Sequence, residues 1–587
     1  MKTFILSFLG GIAALIVFFI LLPLAIIMSL APSGKPEPVR SAVLELDLRD
    51  SMNDQPSPDG VGSLFSQTSF IQTLLKLNAA VDDPGVKGIY VRAAESDFGS
   101  SRAEELREAF LRLKKAGKFV IASSQGFLAS GPSAYRAVSA ADEIWMQPGS
   151  SFEVPGISFE TMFYGPLLDK VHVTADIDQF YEYKNAADVY KQKGYTPAHA
   201  EAMTRLAESV WSHSITDIAT DRRIAPADMR KLLEASPYQA EQALNLKLVD
   251  RIGWPEEAEQ EAVGRAKGDL VQMADYNPAP KAGKGIIAII GGEGDIVTGG
   301  GGPTNVLSLG TPQFASDAIA ARMDDLAKDS SVNAVVFRID SGGGSATASD
   351  QIWRAVKRLE ASGKKVVVSM GSMAASGGYY AAAGADAIVS TRSTITGSIG
   401  VFGGKFAIAD GLRMIGVDPA TVGVGGDFAS AYSSEKFTPA QRKKLDDSLT
   451  AVYTRFTTLV AEGRKLPIER VQEIARGRIW SGEDAKARGL VDETGDLIDA
   501  VNKAKVLAGF KPEDRVEVRL DVKTTTPLQL LTRVMSGKSA STPAERAALG
   551  AVSAIVGDRR AAAALDQLEH FSHSAGVQLW AAPVLEH

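Results

Sequence analysis

The chain has 587 residues, too many for one hydrophobic core, so its length points to two or more domains. A net charge of −7 argues against a dedicated nucleic-acid binder. The absence of cysteine removes thiol nucleophiles, disulfides and thiolate metal sites together.

Residues 4–30 (FILSFLGGIAALIVFFILLPLAIIMSL) carry no charge. A bilayer span needs about 20 apolar residues, whereas the apolar part of a cleavable signal peptide is usually only ~7–15 residues long. An uncleaved transmembrane anchor is therefore expected over 4–30, with cleavage near Ser29-Leu30-Ala31 as the alternative. Lys2 lies on one side and Lys35 and Arg40 on the other, so charge does not set the orientation.

The rest of the chain repeats itself. VKGIYV (86–91) matches VNAVVF (332–337), and AGKFVIAS (116–123) matches SGKKVVVS (362–369) at the same offset. YTPAHAEAM (195–203) matches FTPAQRKKL (437–445), and LKLVDRIG (246–253) matches ARGLVDETG (487–495). The expected organisation is an anchor over 4–30, tandem repeats over 41–283 and 284–520, and an alanine-rich tail over 521–587. Within the second repeat the pattern predicts strand 285–290, helix 315–328, strand 333–338, helix 346–362, strand 364–370, helix 377–384 and strand 386–390. This alternation is an α/β pattern with a mostly parallel sheet, and such sheets place sites at the carboxyl ends of their strands.

In the first repeat, Phe180–Ala187 (FYEYKNAA) sets one lysine, Lys184, between aromatic and small residues. Its counterpart in the second repeat is Gly426. In the second repeat, Asp340–Ser345 (DSGGGS) is a glycine-rich strand-to-helix turn that lets backbone N–H groups face an anion. No Gly-Lys-Ser/Thr completes a phosphate-binding P-loop there. The GGGG stretch at 299–302 has no such placement and reads as a mobile loop. Ser376, in GSMAASGGYY (371–380), follows a predicted strand and precedes Gly377. The N–H groups of Gly343 and Gly377 would lie at neighbouring strand ends, where two convergent donors beside a hydroxyl form an oxyanion hole.

Such a serine needs a base. The six histidines are His172, His199, His213, His570, His573 and His587, and none falls near these loops in the second repeat. A Ser-His-Asp arrangement is disfavoured, although His172 or His199 could reach across. A neutral lysine is the other choice, and it must be buried or set near cations to act as a base at neutral pH. Ser130 aligns with Ser376, but its partner loop Arg92–Asp97 has no glycine pair and carries Glu95 and Asp97 where an oxyanion would form. Ser130 therefore reads as structural.

The set DSGGGS (340–345), GSMAASGGYY (371–380), TGSIGVFG (396–403) and YEYKNAA (181–187) resembles the long, duplicated members of the signal peptide peptidase A family, also called protease IV. The resemblance covers the anchor and nearly all of 41–520. It implies tandem crotonase/Clp-protease-like domains, assembled as a homotetramer. It implies a membrane-anchored Ser–Lys peptidase that degrades released signal peptides at the periplasmic face of a bacterial inner membrane. No cofactor, metal or nucleic acid is implied. By motif position Ser376 is the nucleophile, Lys184 the general base, Ser398 the lysine-orienting hydroxyl, and Gly343 and Gly377 the oxyanion donors. Gly342 departs from the pattern, standing where the family usually has proline. Two other classes share the expected fold: a crotonase-like acyl-CoA enzyme, which would not depend on Ser376, and a catalytically degenerate membrane scaffold. The tail, including ERAALGAVSAIVGDRRAAAALDQL (545–568), reads as helical surface.

Overall fold

The computed structural model describes residues 41–56, 68–128, 131–278, 282–300, 314–521 and 578–580. The expected anchor, Ser130 and most of the tail lie outside the described residues. Among the described residues no helix is long and apolar enough to cross a membrane.

Two largely parallel sheets carry the α/β architecture. The first runs in the order Arg251–Ile252, Glu143–Met146, Phe119–Ser124, Val86–Arg92, Ala42–Asp47, Asp269–Gln272. The second contains that order as Glu493–Thr494, Ala387–Ser390, Lys365–Ala375, Val332–Ser341, Ile286–Glu293, Glu517–Leu520, and adds Ile395–Gly397 and Ile479–Ser481 beside the end of Lys365–Ala375. The helices match as well. Ser100–Lys115 and Ala346–Ala361 each have 16 residues, and Pro197–Arg222 and Pro439–Arg464 each have 26. Thr196 and Thr438 cap the two long helices by accepting the N–H of His199 and of Gln441, which satisfies an otherwise orphan donor.

The second sheet is buried on both faces, as its Val/Ile-rich strands require. Ala288, Ile290, Val335, Phe337, Val366 and Val368 face a core built within the second repeat. The alternate residues Ile287, Ile289, Ala334, Val336 and Val367 face a core shared with first-repeat helices Phe70–Val81 and Ser100–Lys115. Period-two alternation along each strand thus splits one sheet between two cores. The first repeat serves as the cover for one face of the second.

Buried ion pairs cross the same contact. The Arg338 guanidinium donates to Asp54 and to Glu105, each at 2.8 Å, and all three side chains are fully buried. Arg136 binds Glu104 and Asp217 and donates to the Ser393 hydroxyl at 2.8 Å. Arg392 meets the same two carboxylates. Burial opposes ionisation of Glu104, but Arg136 and Arg392 hold its carboxyl down to about 2.

A third sheet mixes the repeats. Thr174–Gln179, from the first repeat, pairs antiparallel with Phe402–Ala407 of the second. The tail also joins it: residues 578–580 form a strand, not the helical surface expected for that region.

Replacing Arg338 with alanine leaves Asp54 and Glu105 as buried carboxylates without their cation. We expect a loss of about 3–5 kcal/mol, read as a lower denaturant midpoint. Replacing the half-exposed Arg230 should cost no more than about 0.5 kcal/mol. Equal midpoints for the two variants would remove the Arg338 pairs from the account of the contact between repeats.

Candidate active site

The strand that leads to Ser376 is longer than the sequence suggests. It runs over Lys365–Ala375, not 364–370. After Ala387–Ser390 stops pairing with it, Met373, Ala374 and Ala375 pair with Ile395, Thr396 and Gly397. Tertiary pairing overrides the weak strand preference of Gly371–Ala375. The ladder therefore carries the chain up to the serine.

Ser376 then turns directly into the Gly377–Ala382 helix. Its backbone sits at φ 52° and ψ −114°, a conformation that costs a side-chain-bearing residue about 1–3 kcal/mol. The turn is held on both sides: the Ser376 N–H donates to the Gly397 carbonyl and the Ser376 carbonyl accepts from the Tyr380 N–H, each at 2.8 Å. With its own N–H engaged, Ser376 cannot supply an oxyanion donor itself.

The N–H of Gly377 is the first of its helix and has no intrahelical acceptor. The glycine loop packs against this residue. A Cβ on Gly377 would stand 2.5 Å from Ser349 Oγ and 3.2 Å from Gly343 Cα. Gly343 and Gly377 are therefore neighbours, as the sequence suggests. The Gly343 N–H, however, donates to Ser341 Oγ at 3.1 Å. It reaches an oxyanion only by exchanging that bond.

Lys184 enters from the first repeat. Thr174–Gln179 hands over to Phe180, whose N–H donates to the Val401 carbonyl at 2.9 Å. Lys184 then begins the short 3₁₀ turn Asn185–Ala187. Its counterpart Gly426 begins the equivalent turn Asp427–Ser430 and is exposed. Lys184 is 1% exposed. Its Nζ lies 2.8 Å from Ser376 Oγ, 3.0 Å from Ser398 Oγ and 3.1 Å from the Ser398 carbonyl oxygen. Burial alone pushes this amine well below the ordinary lysine range. The three contacts fit a neutral amine, with two N–H groups donating to Ser398 and one lone pair accepting the Ser376 hydroxyl proton.

Two glycines that sequence reasoning passed over shape this pocket. A Cβ on Gly477, at φ +81°, would fall 2.5 Å from Lys184 Cβ. A Cβ on Gly400 would fall 3.2 Å from Lys184 Cδ. Gly400 lies within the quoted TGSIGVFG motif but had no role there, and Gly477 carried no local signal, since it lies in Ala475–Trp480 (ARGRIW), far in sequence from every motif. Ser341 was within sight in DSGGGS but had no role assigned to it.

The described histidines stay apart from Ser376. His172 is exposed. His199 is buried, with its ring 3.6 Å from Asp188, and His213 meets Glu483. In the loop aligned with the glycine turn, Asp97 takes the Ser133 hydroxyl and the Gly99 N–H. Ser130 lies outside the described residues, and Lys184, the lysine it would need, faces Ser376.

Comparison with known proteins agrees with this duplication. The model of peptidase family S49 matches residues 112–268 and again 358–511. The chain is 31% identical to Protease 4 of Salmonella typhi, over 84% of this chain and 83% of that protein. It is 28% identical to the chloroplastic serine protease SPPA of Arabidopsis thaliana, over 86% of this chain and 74% of that protein. A putative signal peptide peptidase SppA of Enterococcus faecium is 31% identical over 35% of this chain and 60% of its own length.

Gly477→Ala should push Lys184 away from Ser376 while both residues keep their identity. A misplacement of about 1 Å costs roughly 100-fold in rate, so labelling of Ser376 by a fluorophosphonate should slow by about that factor. Labelling at the unmodified rate would show that the close approach of Gly477 does not position the lysine.

Proposed function

The chain belongs to peptidase family S49 and is a serine peptidase, and we propose that Ser376 is its nucleophile and Lys184 its general base. The observation that carries this reading is the 2.8 Å contact between Lys184 Nζ and Ser376 Oγ, made by a buried lysine whose lowered pKa has burial as its cause. The neutral amine takes the hydroxyl proton as Oγ attacks the scissile carbonyl carbon. The carbonyl oxygen becomes an oxyanion, and the N–H groups of Gly377 and Gly343 receive it. When the tetrahedral intermediate collapses, the C–N bond breaks and the lysine ammonium returns its proton to the departing amine. Water then attacks the acyl ester, Lys184 again takes and returns the proton, and Ser376 is regenerated. Ser398 holds the amine through its carbonyl and hydroxyl, which supports a positioning role for it.

The finer reading is a Clp-protease-like fold, assembled as a homotetramer and anchored in a bacterial inner membrane by residues 4–30. The catalytic repeats would face the periplasm, and the substrates would be released signal peptides. Relatives named Protease 4 and signal peptide peptidase SppA support the substrate class. The repeated strand order supports the fold.

Ser376→Ala and Lys184→Ala should each abolish nearly all hydrolysis of a signal-derived peptide while leaving the denaturant midpoint close to that of the parent. Partners that act as a unit lose as much singly as together. Activity near the parent level in either variant would end the assignment.

The pH profile carries a sign. A lysine with a lowered pKa is the protonated, inactive ammonium below that pKa and the active amine above it. The rate should therefore rise with pH through the lowered value and not fall again as the solution is made mildly alkaline. Replacing His172 and His199 should leave the midpoint of this rise in place. A midpoint that moves with either histidine would transfer the role of base away from Lys184.

A further inference from the structure

The third sheet has an unexpected member at its centre. Its order is Phe314–Ala315, Ile296–Val297, Gly343–Ser345, residues 578–580, Phe402–Ala407, Thr174–Gln179. Five of these strands come from the body of the two repeats. The sixth comes from the tail, after residues 522–577 have intervened. It pairs antiparallel with the glycine loop, Trp580 opposite Gly343, Leu579 opposite Gly344 and Gln578 opposite Ser345. On its other side Gln578 stands opposite Phe402. It also lies beside the Gly377–Ala382 helix that Ser376 begins.

This slot has the chemistry of a peptide-binding groove. Without residues 578–580, Gly343–Ser345 and Phe402–Ala407 present facing main-chain edges one strand apart. One edge belongs to the loop that holds the proposed oxyanion donor. The other pairs with the strand that delivers Lys184. An extended peptide in such a slot is held mainly by backbone hydrogen bonds, which are indifferent to sequence. An apolar peptide substrate and the chain's own tail would satisfy the same edges.

Building on the peptidase reading, we infer that residues 578–580 are a built-in competitor that occupies the substrate strand position and restrains the enzyme until a peptide displaces them. The occupant is tethered, so its competition does not weaken when the enzyme is diluted. It acts on the free enzyme and leaves the chemistry of the bound complex untouched. A groove filled about nine-tenths of the time raises the apparent KM roughly tenfold, because only the open fraction binds.

The test uses the full-length chain and its Leu579→Pro variant. Proline removes a backbone N–H and disfavours the paired strand. Leu579→Pro is expected to lower KM for a short fluorogenic peptide several-fold at unchanged kcat, and to speed fluorophosphonate labelling of Ser376 in proportion. A synthetic peptide SAGVQLWAAP, copying residues 574–583, should then inhibit the variant competitively. The same peptide with proline at the leucine position should not. Unchanged KM and labelling rate in both Leu579→Pro and Gln578→Pro, together with no inhibition by the peptide, would overturn the inference and leave the peptidase reading standing. Failure of Ser376 to label in parent and variants alike would overturn the peptidase reading and this inference with it.

Discussion

An amine held 2.8 Å from a serine hydroxyl, deep in the protein and lowered in pKa by burial, is the constraint on which the rest of the structure depends. An ammonium there would need a counter-charge or would face several kcal/mol of desolvation. The site instead provides what a neutral amine can use, namely two oxygens of Ser398 as acceptors and one hydroxyl proton. Keeping the amine neutral requires that water and carboxylates be kept away. Gly477 lies close against the Lys184 backbone and Cβ, and Gly400 against its Cδ, with no room for a Cβ on either. Local polarity is thus set by packing, and the packing needs both repeats.

The duplication explains how one site arises from two equivalent domains. The two sheets share a six-strand order, and both long helices have the same length. The difference lies in which residue stands at each equivalent turn. Lys184 begins a buried 3₁₀ turn, while Gly426 begins an exposed one. Acidic residues of the first repeat fill the loop that in the second repeat holds glycines. The first repeat contributes Lys184 beside Ser376 and covers one face of the second sheet. The Arg338 and Arg136 ion-pair clusters fix its seating against the second repeat.

Much of this is legible in the sequence itself. The repeated VKGIYV and VNAVVF strands, the two TPA-initiated long helices and the Ser376–Lys184 complementarity are all local patterns with a fixed offset. What could not be read depends on contacts between distant segments. The strand 371–375 is ordered by Ile395–Gly397 and not by its own composition. The crossing of Thr174–Gln179 into the second repeat's territory has no signature in TADIDQ. Gly477 looks like any turn glycine until Lys184 lies against it. Residues 578–580 gain strand character from two partner edges, and an alanine-rich tail gave no hint of those edges.

Strain indicates how the site is held and where it can move. Ser376 and Ser398 both carry positive φ, at 52° and 50°, and such residues persist when their surroundings over-determine them. The Ser376 N–H is tied to Gly397, and the Ser398 N–H is tied to the Arg478 carbonyl at 2.7 Å. Ser376, Ser398 and the Gly477 segment therefore form one linked unit. The Gly343 N–H differs, because its bond to Ser341 Oγ must exchange before it can meet an oxyanion. Gly343 is also the residue opposite which the tail strand sits. A peptide seated along Gly343–Ser345 would engage the backbone of the very loop whose donor must be freed. The Gly343 N–H keeps its bond to Ser341 Oγ with residues 578–580 seated opposite Gly343, so filling the groove does not by itself free that donor.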